Sequence, residues 1–216
     1  MITDFVRTHT EPADLPFVPE LRLRLAAEAI PLWELMEQVT GSEGLPPPFW
    51  AFAWAGGQAL ARYLLDHPEL VACHTVLDLA AGSGLVALAA ARAGASRVIA
   101  NEIDEYADAA IALNAQLNDV AVERVLGDLL AAPADEAVPV ADVVLAGDVF
   151  YNREMATAML AFLRRQHDRG ALVLVGDPGR AYRPKEGFEQ VAAYRVPVNR
   201  DLEDADLKAT AVLRMI

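Results

Sequence analysis

The stretch from Val76 to Ala87 reads VLDLAAGSGLVA. Within it Gly82, Gly84 and Ala87 fit G-x-G-x-x-A, placed after an apolar, strand-like run and at the start of a helical pattern. Such a segment has to turn sharply, let a ligand approach the backbone, and present the free N–H groups of a helix N-terminus. Glu102 stands at the end of the next predicted strand, where a carboxylate can accept hydrogen bonds from ribose hydroxyls. The chemistry implied is binding of a nucleotide-like ligand. The plain alternative is a structural turn beside a surface acid.

Asp78 narrows the ligand. It precedes the glycines at the strand end, in Asp78-Leu79-Ala80-Ala81-Gly82-Ser83-Gly84. An acid there is a poor neighbour for a pyrophosphate. It suits the cationic methionyl group of S-adenosylmethionine, which carries a sulfonium and an amine and no phosphate. Asp128 follows the third strand in VLGD and could meet an adenine amino group. Asp78, Glu102 and Asp128 thus fall at three successive strand ends, the ligand-binding edge of open α/β sheets. The triplet favours methyl transfer over NAD chemistry. The four histidines, His9, His67, His74 and His167, are scattered without HxxH or HExxH, so no metal site is expected.

Strand ends can gather in this way only on a suitable scaffold. Strand-like runs occur at 74–79, 97–101, 122–126, 142–147 and 171–176, with two more near 189–196 and 209–215. Helical patterns separate them at 84–93, 105–117 and 153–166, and another lies ahead of the first strand at 57–66. Continuously apolar strands alternating with helices predict an α/β fold: a Rossmann-like, seven-stranded, mostly parallel sheet with helices on both faces. The last two strands have no helical pattern between them, so they are expected to form an antiparallel pair at one edge, with the C-terminal strand antiparallel. Residues 1–20 are polar and hold Pro12, Pro16 and Pro19, which predicts an extended arm. A short strand at 21–25 and a helix at 29–39 follow, before Pro46, Pro47 and Pro48 break the chain.

Composition sets outer limits. The chain has 216 residues, enough for one domain with a core of its own. Lys plus Arg number 18 against 31 Asp plus Glu, a formal net charge of −13. That weighs against nucleic acid and polybasic membrane binding and favours a basic partner. Cys73 is the single cysteine, so no intrachain disulfide can form. The N-terminal MITDFVRTHTEPADLPF lacks the apolar run of a secretory signal, and a cytoplasmic protein is the expectation.

Four segments carry a more specific likeness: PFWAFAWAGGQALARYLLD at 48–66, VLDLAAGSGLVALAAARAGASRVIANEID at 76–104, LAGDVFY at 145–151 and LVGDPGR at 174–180. The chain resembles the class I seven-strand S-adenosylmethionine methyltransferases. Among them it is most similar to the lysine methyltransferases of the electron transfer flavoprotein β-subunit, with the ribosomal protein L11 methyltransferases more distant. One departure is Ala80, where the broad class usually has a glycine. The resemblance implies an N-terminal extension at 1–47 and a methyltransferase domain at 48–216. It implies S-adenosylmethionine held by Asp78, Ala80, Gly82, Gly84 and Glu102, with contacts from Trp54, Gly57 and Gln58. It also implies a protein lysine as acceptor, in the flavoprotein β-subunit or, as in bacterial relatives, a ribosomal stalk protein.

Methyl transfer to a lysine needs the neutral amine, although its ordinary pKa is about 10.4. Asp148 in GDVFY follows the fourth strand directly, where an acceptor could orient the amine and attract the substrate. Tyr151 could supply a hydroxyl, Phe150 a channel wall and Asp177 a contact to the substrate. Trp54 is expected to lie over the cofactor; packing is the alternative, above all for Trp50 and Phe52. Asn114 and Asn118 share a helical face and suit capping or packing. Other readings are methylation of another protein or of a small molecule, and NAD(P)-dependent oxidoreduction. Asp78 and the lack of a Tyr-x-x-x-Lys pair argue against the last.

Overall fold

The computed structural model describes residues 1–131, 138–198 and 206–216. The N-terminal segment departs from the extended arm. Ile2–Thr8 form a helix, α1, and Glu11–Asp14 (β1) pair with Arg22–Leu25 (β2) in a two-stranded antiparallel sheet. Burial explains the difference, because tertiary packing of an apolar face stabilises short helices more than propensity does. Val6 is completely buried among Leu32, Met36, Trp50 and Ala110. Pro12 is tolerated because β1 is an edge strand.

The helix α2 spans Ala29–Thr40 and ends on Gly41 in the left-handed region. The regular pattern then begins with α3 (Ala55–Asp66), β3 (Thr75–Leu79), α4 (Leu85–Arg92), β4 (Arg97–Glu102), α5 (Glu105–Leu117) and β5 (Glu123–Leu126). It continues through β6 (Val143–Gly147), α6 (Arg153–Asp168), β7 (Leu172–Asp177), β8 (Phe188–Pro197) and β9 (Leu207–Met215). These bounds lie within a few residues of those expected from the sequence.

The main sheet has seven strands in the order β5-β4-β3-β6-β7-β9-β8. Neighbours from β5 to β7 are parallel, and β9 runs antiparallel to both β7 and β8. Alternate residues of β3 serve opposite faces, as a period of two requires. Val76 packs with Leu60 and Leu64 of α3 and Ala87 of α4. Leu77 and Leu79 pack with Met159, Phe162 and Leu163 of α6. Helices therefore cover both faces. The chain order reverses between β3 and β6, and ligands bind outside the carboxyl ends of strands at such a switch point.

Two asparagines tie the N-terminal hairpin to this body. Asn114 accepts the Arg24 N–H at 2.7 Å and donates to the Ser83 carbonyl at 2.9 Å. Asn118 accepts the Arg22 N–H at 2.9 Å and donates to the Arg22 carbonyl at 2.7 Å.

Candidate active site

In the β3–α4 connection every second residue is left-handed. Ala80, Gly82 and Gly84 have φ of 52°, 55° and 81°, which reverses the strand into the helix within a few residues. For Ala80 this conformation costs about 1–2 kcal/mol, because it carries a Cβ where the broad class has glycine. At Gly84 a Cβ would also approach Ile111 Cγ1 to 3.1 Å.

Asp78 ends up beneath this loop, 1% exposed, its Oδ2 accepting the Ala87 N–H at 2.9 Å. Burial, with the nearby charge of Glu102, pushes its carboxyl up to about 8. Among the described residues it has no ion-pair partner. Glu102, at the end of β4, accepts the Gly82 N–H at 2.7 Å on Oε1 and the Ile103 N–H at 3.0 Å on Oε2. Burial raises its pKa as well. A carboxylate offers about four acceptor sites, more than these backbone donors and that of Asp104 take up.

These acids line a cavity of about 310 Å³ at the switch point. It is lined by the backbone of Ala80–Ser83, by Glu102 and Asp104, and by a wall of aromatic rings. Trp50, Phe52 and Trp54 all reach the cavity, so the wall extends beyond the single tryptophan expected. Trp54 Nε1 donates to the Phe49 carbonyl at 2.8 Å, which fixes its ring against Phe49 and Phe52. Gly57 lines the cavity, but Gln58 does not. Its side chain turns back to donate to the Ala53 carbonyl at 2.7 Å, bracing the segment from behind.

Asp148 closes the far end with Gly147, Tyr151 and Arg180. It too has a positive φ, 58°. Its Oδ2 accepts the N–H groups of Gly56 and Gly57, the latter at 3.2 Å. Its Oδ1 accepts Nε and Nη2 of Arg180 at 2.9 and 2.5 Å. Burial pushes the carboxyl up to about 6 even though Arg180 pulls it down. The first turn of α3 can reach Asp148 because glycines meet there. A Cβ on Gly176 would lie 2.0 Å from the Gly56 carbonyl oxygen.

Other expected residues stand elsewhere. Phe150 does not line the cavity: it is fully buried in the cluster under α6, edge-on to Phe188. Asp177 is turned into its own loop, Oδ1 accepting the N–H groups of Gly179 and Arg180 at 2.7 and 3.0 Å. Asp128 lies in an adjoining cavity of about 500 Å³, which shares Ala80, Glu102 and Tyr151 with the first. Its Oδ1 accepts the Leu130 and Ala131 N–H groups. Tyr151, 41% exposed, stands between the two cavities with its ring 5.4 Å from that of Phe49. Burial and the charge of Glu102 raise its pKa.

Two lining residues carry charge that the sequence reading did not assign. Asp104 caps α5 through the Tyr106 N–H at 2.8 Å, and an Asp just before a helical pattern is a recognisable N-cap signal. Arg180 has a weaker signal, a position after a Pro-Gly turn at a strand end.

The chain is similar in sequence and in fold to known proteins. The family described as ribosomal protein L11 methyltransferase (PrmA) matches residues 59–150. The electron transfer flavoprotein β-subunit lysine methyltransferase of Xenopus laevis is 41% identical over 183 residues, covering 82% of this chain and 70% of that one. Its counterpart from Danio rerio is 35% identical over 99% of this chain and 83% of its own. In fold, the chain matches the Thermus thermophilus 16S rRNA N2 G1207 methyltransferase solved with AdoMet and guanosine. The TM-score is 0.59 at 20% identity, over 95% of this chain and 49% of that one.

Proposed function

Because the chain belongs to the electron transfer flavoprotein β-subunit lysine methyltransferase family, we propose that it methylates a lysine amine of that flavoprotein subunit with S-adenosylmethionine. The observation that carries the cofactor reading is Asp78, a buried carboxylate on the cavity wall with a strongly raised pKa and no ion-pair partner among the described residues. A positively charged ligand end would relieve that strain, whereas a pyrophosphate would worsen it. The donor set fits S-adenosylmethionine: Asp78 for the cationic methionyl end, Glu102 for the ribose hydroxyls, the aromatic wall for the apolar surface. Asp128, in the adjoining cavity, suits the adenine amino group.

When bound, the cofactor supplies a methyl group already activated by its sulfonium. The protein has to deliver a neutral amine with its lone pair aligned and water excluded. Phe49, Trp54 and Tyr151 wall the acceptor end, and an apolar wall favours the uncharged amine. The Tyr151 hydroxyl can accept a hydrogen bond from that amine and so orient its lone pair. Asp148 already meets two donors on each oxygen, so it fixes the wall before it meets any substrate. The formal net charge of −13 favours approach of a lysine-bearing, basic surface.

The test is incubation of the protein with methyl-labelled S-adenosylmethionine and purified electron transfer flavoprotein, followed by mass spectrometry of the β-subunit. Methyl groups on lysine are expected. Label on no lysine of that subunit would refute the substrate assignment.

A further inference from the structure

Asp148 poses a chemical problem for the lysine-methylation reading on which this inference rests. A bare buried carboxylate at the acceptor end would bind a lysine as its ammonium, since a nearby opposite charge favours the charged form. The ammonium has no lone pair and cannot accept a methyl group.

Arg180 answers that problem by its position. Its Nε and Nη2 both meet Asp148 Oδ1, while Gly56 and Gly57 take Oδ2. A carboxylate offers about four lone-pair sites, so these donors fill it. The guanidinium carbon stands 5.7 Å from the centre of the Trp54 ring, in the cavity wall. Its direction is set from behind: Asp177, 1% exposed, accepts the N–H groups of both Gly179 and Arg180. Unlike a lysine, an arginine keeps its proton in any protein environment.

We propose that Arg180 is a positioning residue that sets the protonation state of the acceptor lysine, by cancelling the charge of Asp148 and placing a permanent cation beside the incoming amine. The groups around Asp148 agree with this role. The first turn of α3 offers it only backbone N–H groups, and the loop after β7 offers Arg180, with Arg183 beyond Asp177 at 3.9 Å. Asp78, Glu102 and Asp104 line the cofactor end of the cavity, where the expected ligand is itself cationic.

The experiment compares the intact wild-type protein with Arg180→Gln and Arg180→Lys. Single-turnover methylation of electron transfer flavoprotein is followed from about pH 6 to pH 10 at saturating S-adenosylmethionine, whose binding is measured by calorimetry. Arg180→Gln should bind the cofactor normally, yet its rate should rise with pH about one unit or more later than wild type, the scale of a single charge pair. At neutral pH this is a loss of about tenfold or more, recovered in alkali. Arg180→Lys, whose ammonium can release its proton within this range, should have a midpoint between those of wild type and Arg180→Gln. A glutamine variant slowed equally at every pH, with cofactor binding intact, would overturn the proposal, because a purely structural role predicts that. A wild-type protein that labels no lysine at any pH would overturn the lysine reading itself.

Discussion

Replacing Gly176 by alanine tests whether the contact between α3 and the strand ends holds the acceptor site together. The added Cβ would lie 2.0 Å from the Gly56 carbonyl oxygen and 2.7 Å from its carbon. Those atoms are backbone, so relief requires the first turn of α3 to lift. Overpacking of this kind costs about 1–3 kcal/mol. Lifting also loosens the Gly56 and Gly57 N–H bonds to Asp148, and a hydrogen bond to a charged group contributes about 1.5–3 kcal/mol. The clash together with one lost bond amounts to about 2.5–6 kcal/mol, against a total stability of about 5–15 kcal/mol for typical domains. The melting midpoint should then fall by on the order of 10–20 °C. Gly57→Ala is the contrast. Its Cβ would meet only Val86 Cγ2, at an ordinary 3.8 Å, and alanine suits a helix better than glycine by about 0.5–1 kcal/mol. Urea unfolding followed by circular dichroism reads both. A Gly176→Ala protein within about 0.5 kcal/mol of wild type, or a Gly57→Ala protein equally destabilised, would refute the steric reasoning.

Three further substitutions probe the rest of the site. Asp78 holds its proton in the fold up to about pH 8, but only to about 3.9 in an unfolded chain. Its contribution to stability is therefore complete below about pH 4 and disappears as pH rises through about 8. Ligand-free wild type should lose stability between about pH 5 and pH 8, and Asp78→Asn should reduce that slope while weakening S-adenosylmethionine binding at least about tenfold; parallel stability curves would count against the assignment. Asn114→Ala leaves the Arg24 N–H and the Ser83 carbonyl without their partner, so a loss of about 2–4 kcal/mol is expected in denaturant titration, and less than about 1 kcal/mol would contradict it. Phe150→Ala should cost about 3–5 kcal/mol as a core cavity, while calorimetry on the folded protein shows cofactor affinity close to wild type. A large affinity loss would instead return Phe150 to the channel.

Sequence patterns revealed the sheet and the placing of Asp78 and Glu102 at strand ends, and the reasons are local. Strand ends follow from short apolar runs, and the glycine turn with Asp78 and Glu102 depends on neighbours in the chain. The facing of individual side chains was less legible. Phe150 sits between two cavity residues, Val149 and Tyr151, so its burial depends on how the backbone turns after the left-handed Asp148. Asp177 points into its own turn for the same kind of reason. The pairing of Arg180 with Asp148 spans separate strands and leaves no periodic mark. The α1 helix was hidden because it is short and its apolar residues Ile2, Phe5 and Val6 meet partners that lie far along the chain.

The asparagine rungs at the end of α5 have a consequence for solubility. The two strands of the N-terminal sheet leave two outer edges, each a template on which another chain could add a strand. The outward N–H groups of β2, on Arg22 and Arg24, are already taken by Asn118 and Asn114. On β1, the proline at position 12 removes an outward N–H altogether. One edge is thus satisfied by amide side chains standing in for a neighbouring strand, and the other is blunted by a missing donor. A sheet too small to bury its own rims is in this way kept from recruiting copies of itself.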